Sequence, residues 1–239
     1  MNNHLSITLK MKARINQWEG ESDRRATFLN CYLLMTENML RAIQADQFHD
    51  SNWVYNFLHR FAEYYFDALD AYEQDRHTAP QVWVRVHDAA TSGTTQVIQD
   101  LLLGINTHIN YDLVFTLVDM LEAEWDQLSA QARTMRQSDH DHVNQIIAET
   151  IDSVQDQVLE TMVPEMDLVD KLLGPVDEWL ISGLITHWRD DVWRQAVDLL
   201  ETREPALLER KKSAIEDQTQ SRASTILLEG SGIDLFAML

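Results

Sequence analysis

Residues Leu101 to Phe115 read LLLGINTHINYDLVF and open the most apolar run of the chain. Such a run belongs in a core, yet it carries Asn106, His108, Asn110 and Asp112. Each of these groups costs free energy to bury unless it finds a partner. At about 100° per residue on a helix, Asn106 and Asn110 share a side with Leu102, Leu103, Leu113 and Leu117. His108 and Asp112 stand one turn apart at the edge of the apolar arc, beside Leu101 and Ile105. Thr107, Tyr111 and Glu122 fall on the more solvent-like face. The stretch is therefore expected to be a helix with two polar pairs, one facing the core and one at its margin.

The same period runs outward in both directions. Leu5 to Trp18 makes a short amphipathic helix that stops near Gly20. Ser22 is a fitting N-cap for a helix from Asp23 to about Ala45, and Ser51 for the next, whose Val54, Phe57, Leu58, Phe61, Tyr64, Tyr65 and Ala68 recur at helical spacing. Pro80 opens a short helix that Gly93 breaks. A long run from Thr95 to about Ala132 follows, with Gly104 as a weak point inside it. Ser138 or Asp139 caps a helix reaching Met162, and Pro164 and Gly174-Pro175 bracket a short segment. Two further helices span about Val176 to Thr202 and Pro205 to Leu228.

The composition agrees. With 7 Gly and 4 Pro in 239 residues, the chain lacks the turn residues of an all-β or doubly wound fold. There is no composition shift, linker or repeat. The expectation is all-α: one domain over residues 1–239, a bundle of about eight or nine helices.

A formal net charge of −20 excludes the phosphate-neutralising role of a nucleic-acid binder and disfavours anionic membrane surfaces. A single cysteine, Cys31, excludes an intrachain disulfide and a thiolate zinc site. No signal-peptide core and no run of eighteen apolar residues is present, so no membrane span and a cytoplasmic location are expected. No Gly-rich phosphate loop, Glu-x-x-His pair of helices or G-x-S-x-G elbow occurs.

Several features have two readings. Asn106 and Asn110 are either a polar lock between helices or the hydrogen-bonding floor of a pocket. His108 and Asp112 suit a metal, a general base oriented by a carboxylate, or a plain hydrogen-bonded pair. Spacing does not decide, because His59/Glu63, Glu73/His77 and His187/Asp191 share it in a chain with nine histidines and 39 acidic residues. In Ser138 to Gln145, SDHDHVNQ, Asp139 and Asp141 suit a helix start; His140 and His142 could chelate only off a helix. His49-Asp50 is either the start of a helix or one edge of a site. Arg189, between Trp188 and Trp193, is expected to pair with a buried carboxylate, Asp112 or Asp50. Seven tryptophans and nine methionines are either core or the lining of an apolar cavity.

LLLGINTHINYDL resembles the signature of an uncharacterised bacterial all-helical family, a domain of unknown function, with the pattern L-L-x-G-x-N-x-H-I-N-x-D-L. FHDSNW (Phe48 to Trp53) and FAEYYFDAL (Phe61 to Leu69) resemble its F-x-D-x-x-W and F-A-x-x-Y-x-x-A-L elements. Asp139 with Val143 and Asn144 resembles D-x-x-x-V-N, and Arg189, Trp193 and Ala196 resemble R-x-x-x-W-x-x-A. The resemblance spans about Thr27 to Leu200 and implies a helical fold without a known activity. The helical build and the H-x-x-x-D element are more distantly similar to zinc-dependent phospholipase C and related nucleases. That similarity implies His108, Asp112, His187 and Asp191 as ligands of a divalent metal such as zinc.

Two functions are consistent with these readings. The first is an enzyme acting on an apolar or ester-type small molecule. His108, Asp112 and Arg189 would be catalytic, Asn106, Asn110, Tyr111 and Asp50 would line the site, and a metal would activate water. The second is a non-catalytic helical ligand-binding or interaction protein whose buried polar network is structural. The apolar tail after Gly230 is expected to dock on its own chain or to form a homo-oligomer contact.

Overall fold

LLLGINTHINYDLVF is the middle of the central helix. The computed structural model describes residues 4–154 and 177–228, which form eight helices and no strand among the described residues. They are α1 (His4–Gly20), α2 (Ala26–Gln44), α3 (Ser51–Asp75), α4 (Gln81–Ser92), α5 (Val97–Leu121), α6 (Ala130–Val154), α7 (Asp177–Glu201) and α8 (Pro205–Leu228). The all-α bundle expected from the sequence is the fold. Helix α5 is its axis, with α2, α3, α4, α7 and α8 packed around it. It has the length and apolarity of a membrane span, but 72% of that span is buried inside the protein, as a core helix must be.

Local chemistry sets the helix starts. Asp50, not Ser51, caps α3, its carboxylate accepting the Trp53 N–H at 2.9 Å. Ser22 is no cap: it sits at φ 55°, and α2 begins three residues beyond Asp23. At α5, Gln96 and Gln99 cap one another reciprocally. Ser129 accepts the Ala132 N–H at 3.2 Å and opens α6.

That last start corrects the expected boundaries. The long run from Thr95 breaks after Leu121, through a 3-10 turn at Trp125–Gln127, with no Gly or Pro to announce it. Ser138 and Asp139 consequently lie inside α6 rather than at its start. The expected helix end at Met162, the Pro164 to Pro175 segment and the tail after Gly230 lie outside the described residues.

Two features shape α5. Gly104 is a point of contact rather than of weakness: a Cβ there would lie 2.4 to 2.9 Å from the Cδ2, Cγ and Cβ atoms of Phe28 on α2. The absent side chain lets that ring lie against the helix backbone. Four residues on, His108–Asp112 form a single π turn, closed by the Leu113 N–H donating to the His108 carbonyl. A π turn accommodates one extra residue and changes the angular phase of what surrounds it. A straight 100° projection therefore misplaces this segment: Thr107 (1% exposed), His108 (3%) and Asp112 (1%) are all buried, not marginal or solvent-facing.

Candidate functional site

The π turn places His108 and Asp112 deep between α3 and α4. His108 Nδ1 and Asp112 Oδ2 share a hydrogen bond of 2.8 Å, and both Asp112 oxygens accept the indole N–H of Trp83, each at 3.1 Å. The imidazole stacks on Phe61, with ring centroids 3.7 Å apart, and meets Tyr32 edge-on at 4.4 Å. Phe28, Tyr65 and Trp83 complete an aromatic box around it. The far ring nitrogen, Nε2, has no partner among the described residues. Burial depresses the imidazole pKa against the opposing pull of Asp112, and burial raises that of the Asp112 carboxyl despite His108 and Trp83. Both shifts favour the uncharged forms, with one proton held between the two groups.

Asn106 and Asn110 face the other way and fasten α8. Asn106 Nδ2 donates to the Thr219 carbonyl at 3.0 Å, and Asn110 Nδ2 donates to Asn106 Oδ1 at 3.1 Å. The Asn110 carbonyl, inside the π turn, accepts the Thr219 hydroxyl at 3.4 Å. Arg222 reaches Asn110 Oδ1 at 3.2 Å and Asp191 Oδ2 at 3.8 Å. Both asparagines are buried, and the core-facing half of the sequence expectation stands.

Arg189 does not join His108 and Asp112. It is buried on α7 and turns to α6, its Nε donating to Asn144 Oδ1 and its Nη2 to the His140 carbonyl, both at 2.6 Å. Without a carboxylate in direct contact among the described residues, burial pulls the guanidinium pKa down to about 10, and Asp141 and Asp190 only partly oppose it. Asp50 is not its partner either: Asp50 takes Arg136 at 2.8 Å. Asp139 accepts the backbone N–H groups of His49 and Asp50, at 2.7 and 3.0 Å, and so ties α6 to the start of α3. His140 and His142 lie on the helix, each with an unpartnered Nε2, and no chelating pair forms.

The four expected metal ligands do not converge. Asp112 is committed to Trp83 and His108, whereas Asp191 holds Arg194, Arg222 and, at 3.7 Å, His187. Among the described residues no group of three or more His, Cys, Asp or Glu side chains could hold a metal ion. The zinc cluster implied by the phospholipase similarity does not fit these residues.

A cleft of about 840 Å³ opens directly above the π turn. Its walls come from α3, the C-terminal half of α5, the segment after Leu121, the end of α7 and the start of α8; Tyr111 and Asp112 lie on its floor. Tyr64, Phe115 and Trp125 add aromatic surface, and Leu199, Leu200 and Leu208 aliphatic surface. Burial, then Glu216 and Asp112, push the Tyr111 hydroxyl up to about 12. Of the expected lining residues only Tyr111 is in this cleft, and of the expected catalytic residues only Asp112; Asn106, Asn110, Asp50, His108 and Arg189 do not line it. Sequence reading missed Trp83, which clamps Asp112, and Phe61, which stacks on His108. Their helical spacing marked them as core, but nothing local named their partner.

An all-α bundle built on a central helix, with a π turn that buries a His–Asp pair beneath a mixed polar and aromatic cleft, defines the class of protein. The chain belongs to a family of unknown function, DUF5995, whose sequence profile matches residues 6–229. No curated protein and no solved structure matches it.

Proposed function

We propose that this chain is a helical ligand-binding protein whose recognition site is the cleft above the π turn. The observation that carries this reading is the cleft itself: about 840 Å³, lined by aromatic and aliphatic side chains together with Tyr111 and Asp112. A concavity of this size, with apolar walls and convergent polar groups, has the general form of a small-molecule site. In this reading the His108–Asp112–Trp83 network is scaffolding, fixing the floor while the imidazole stays sealed in its aromatic box. The test is uptake of an uncharged apolar dye, Nile red. Saturable one-to-one binding, abolished by filling the cleft with Ala71→Trp, is the expected result. A wild-type protein that takes up no dye, or a variant that binds it equally well, removes the proposal.

A second reading, acid–base catalysis on an ester-type substrate, is favoured by one observation. Asp112 is among the residues that line the cleft, burial raises the pKa of its carboxyl, and an imidazole is bonded to it. Asp112 would be the proton-carrying group and His108 a positioning residue. Hydrolysis of a nitrophenyl butyrate that falls at least about 100-fold in Asp112→Asn, with dye uptake unchanged, supports this reading over pure binding. No metal step enters it.

A further inference from the structure

The cleft carries an unbalanced charge. Seven of its lining residues are acidic, against Arg203 and Lys212. Asp119, Asp126 and Glu209 are neutralised by Arg60, Arg203 and Lys212 at 2.6 to 2.9 Å. Asp67, Glu122 and Glu216 have no ion-pair partner among the described residues. Glu216 shares the floor with Tyr111, whose ring meets Phe115 edge-to-face at 4.9 Å, so a carboxylate and an aromatic wall adjoin there. The rim already holds one cation in this manner: the guanidinium of Arg60 lies over the Tyr64 ring at 4.6 Å while bonded to Asp119.

A separate observation points to a ligand. Trp125 lines the cleft at 4% exposure, and its indole N–H has no acceptor among the described residues. A buried donor without an acceptor costs free energy that a ligand oxygen would remove.

We infer that the occupant of the cleft is an organic cation: an ammonium head on Tyr111 beside Glu216, a neutral oxygen acceptor for Trp125, and an apolar body along Leu199 and Leu208. This rests on the cleft being the binding site and names the class of molecule it takes. The physical basis is additive. A cation over an aromatic face is attracted by the ring quadrupole, more strongly where water is displaced. Unpaired carboxylates add Coulombic attraction in a partly desolvated site. An anion of the same shape meets both effects with the sign reversed.

The experiment compares three probes by calorimetry and tryptophan quenching: hexanoylcholine, its uncharged carbon isostere 3,3-dimethylbutyl hexanoate, and octanesulfonate. The cation is expected to bind at least about 10-fold tighter than the isostere, a step of about 1.4 kcal/mol, with no binding of the anion. That preference should shrink in Glu216→Gln and in Asp67→Asn, both changes at residues outside the buried core, and should weaken with added salt. Equal binding of cation and isostere, or binding of the anion, overturns the cationic class and leaves the cleft reading standing. Failure of all three probes, together with failure of Nile red, overturns both.

Discussion

At the scale of single residues, the question is whether Asp112 is held as an ion or as a neutral acid. Its two oxygens accept from Trp83 and one also meets His108, so a residue that keeps these contacts without charge should be tolerated. Asp112→Asn supplies one: the amide oxygen still accepts from Trp83 and the amide N–H₂ donates to His108 Nδ1, with the imidazole proton moved to Nε2. Asp112→Ala leaves Trp83 and His108 unmatched. We expect the alanine variant to lose about 3–5 kcal/mol and the asparagine variant less than about 1.5 kcal/mol in urea unfolding. Equal losses would mean that an ionised pair holds the site. None of this was legible from spacing, since His187/Asp191 has the same separation and is half open to solvent.

At the scale of elements, the contact between α2 and α5 turns on one missing side chain. A Cβ on Gly104 would sit under 3 Å from three Phe28 atoms, including the Phe28 Cβ, which cannot rotate away. Gly104→Ala gains helix propensity, about 1 kcal/mol, yet forces α2 from α5. Overpacking of this kind costs about 1–3 kcal/mol, so net destabilisation is expected, relieved by a second change, Phe28→Leu, in denaturant titrations. An alanine variant as stable as the parent would refute the close approach. Element boundaries show what sequence carries and what it does not. Period alone gave α3, α7 and α8 nearly whole. The break after Leu121 has no glycine or proline, and the π turn has no residue signal at all, because both are set by packing with distant segments.

At the scale of the whole molecule, buried histidines govern acid stability. Burial, aided by Arg189, holds His140 down to about 4, with Asp141 opposing; burial, aided by Arg25, holds His87 down to about 3, with Asp23 opposing. An unfolded chain binds protons near pH 6.5 that the folded chain refuses, so stability is full above that pH and falls as pH drops toward 4. Each histidine contributes a slope of about 1.4 kcal/mol per pH unit in that window. Asp100 and Asp112, both raised by burial, act oppositely, favouring the fold as pH falls toward 3.8. Melting temperature should therefore decline between pH 6.5 and 5, and less steeply in His140→Phe. A variant with an unchanged slope would mean that His140 is protonated in the folded state. The pairing of Arg189 with Asn144, across 45 positions, was invisible for the same reason as the break after Leu121: partner choice is a property of three-dimensional assembly.

The π turn also constrains how this helix can change its length. A single π turn is the geometry a helix adopts when one residue has been inserted without displacing either flank. Removing Ile109 would restore a plain α-helix with the Gly104 half and the Leu117 half still in phase. Gly104 would keep Phe28 and Asn106 would keep Thr219, while the spacing of His108 and Asp112 would shorten by one residue. Substitutions along α5 can be absorbed one contact at a time. A change in its residue count is absorbed only at the turn, so the cost of one residue gained or lost falls on His108 and Asp112.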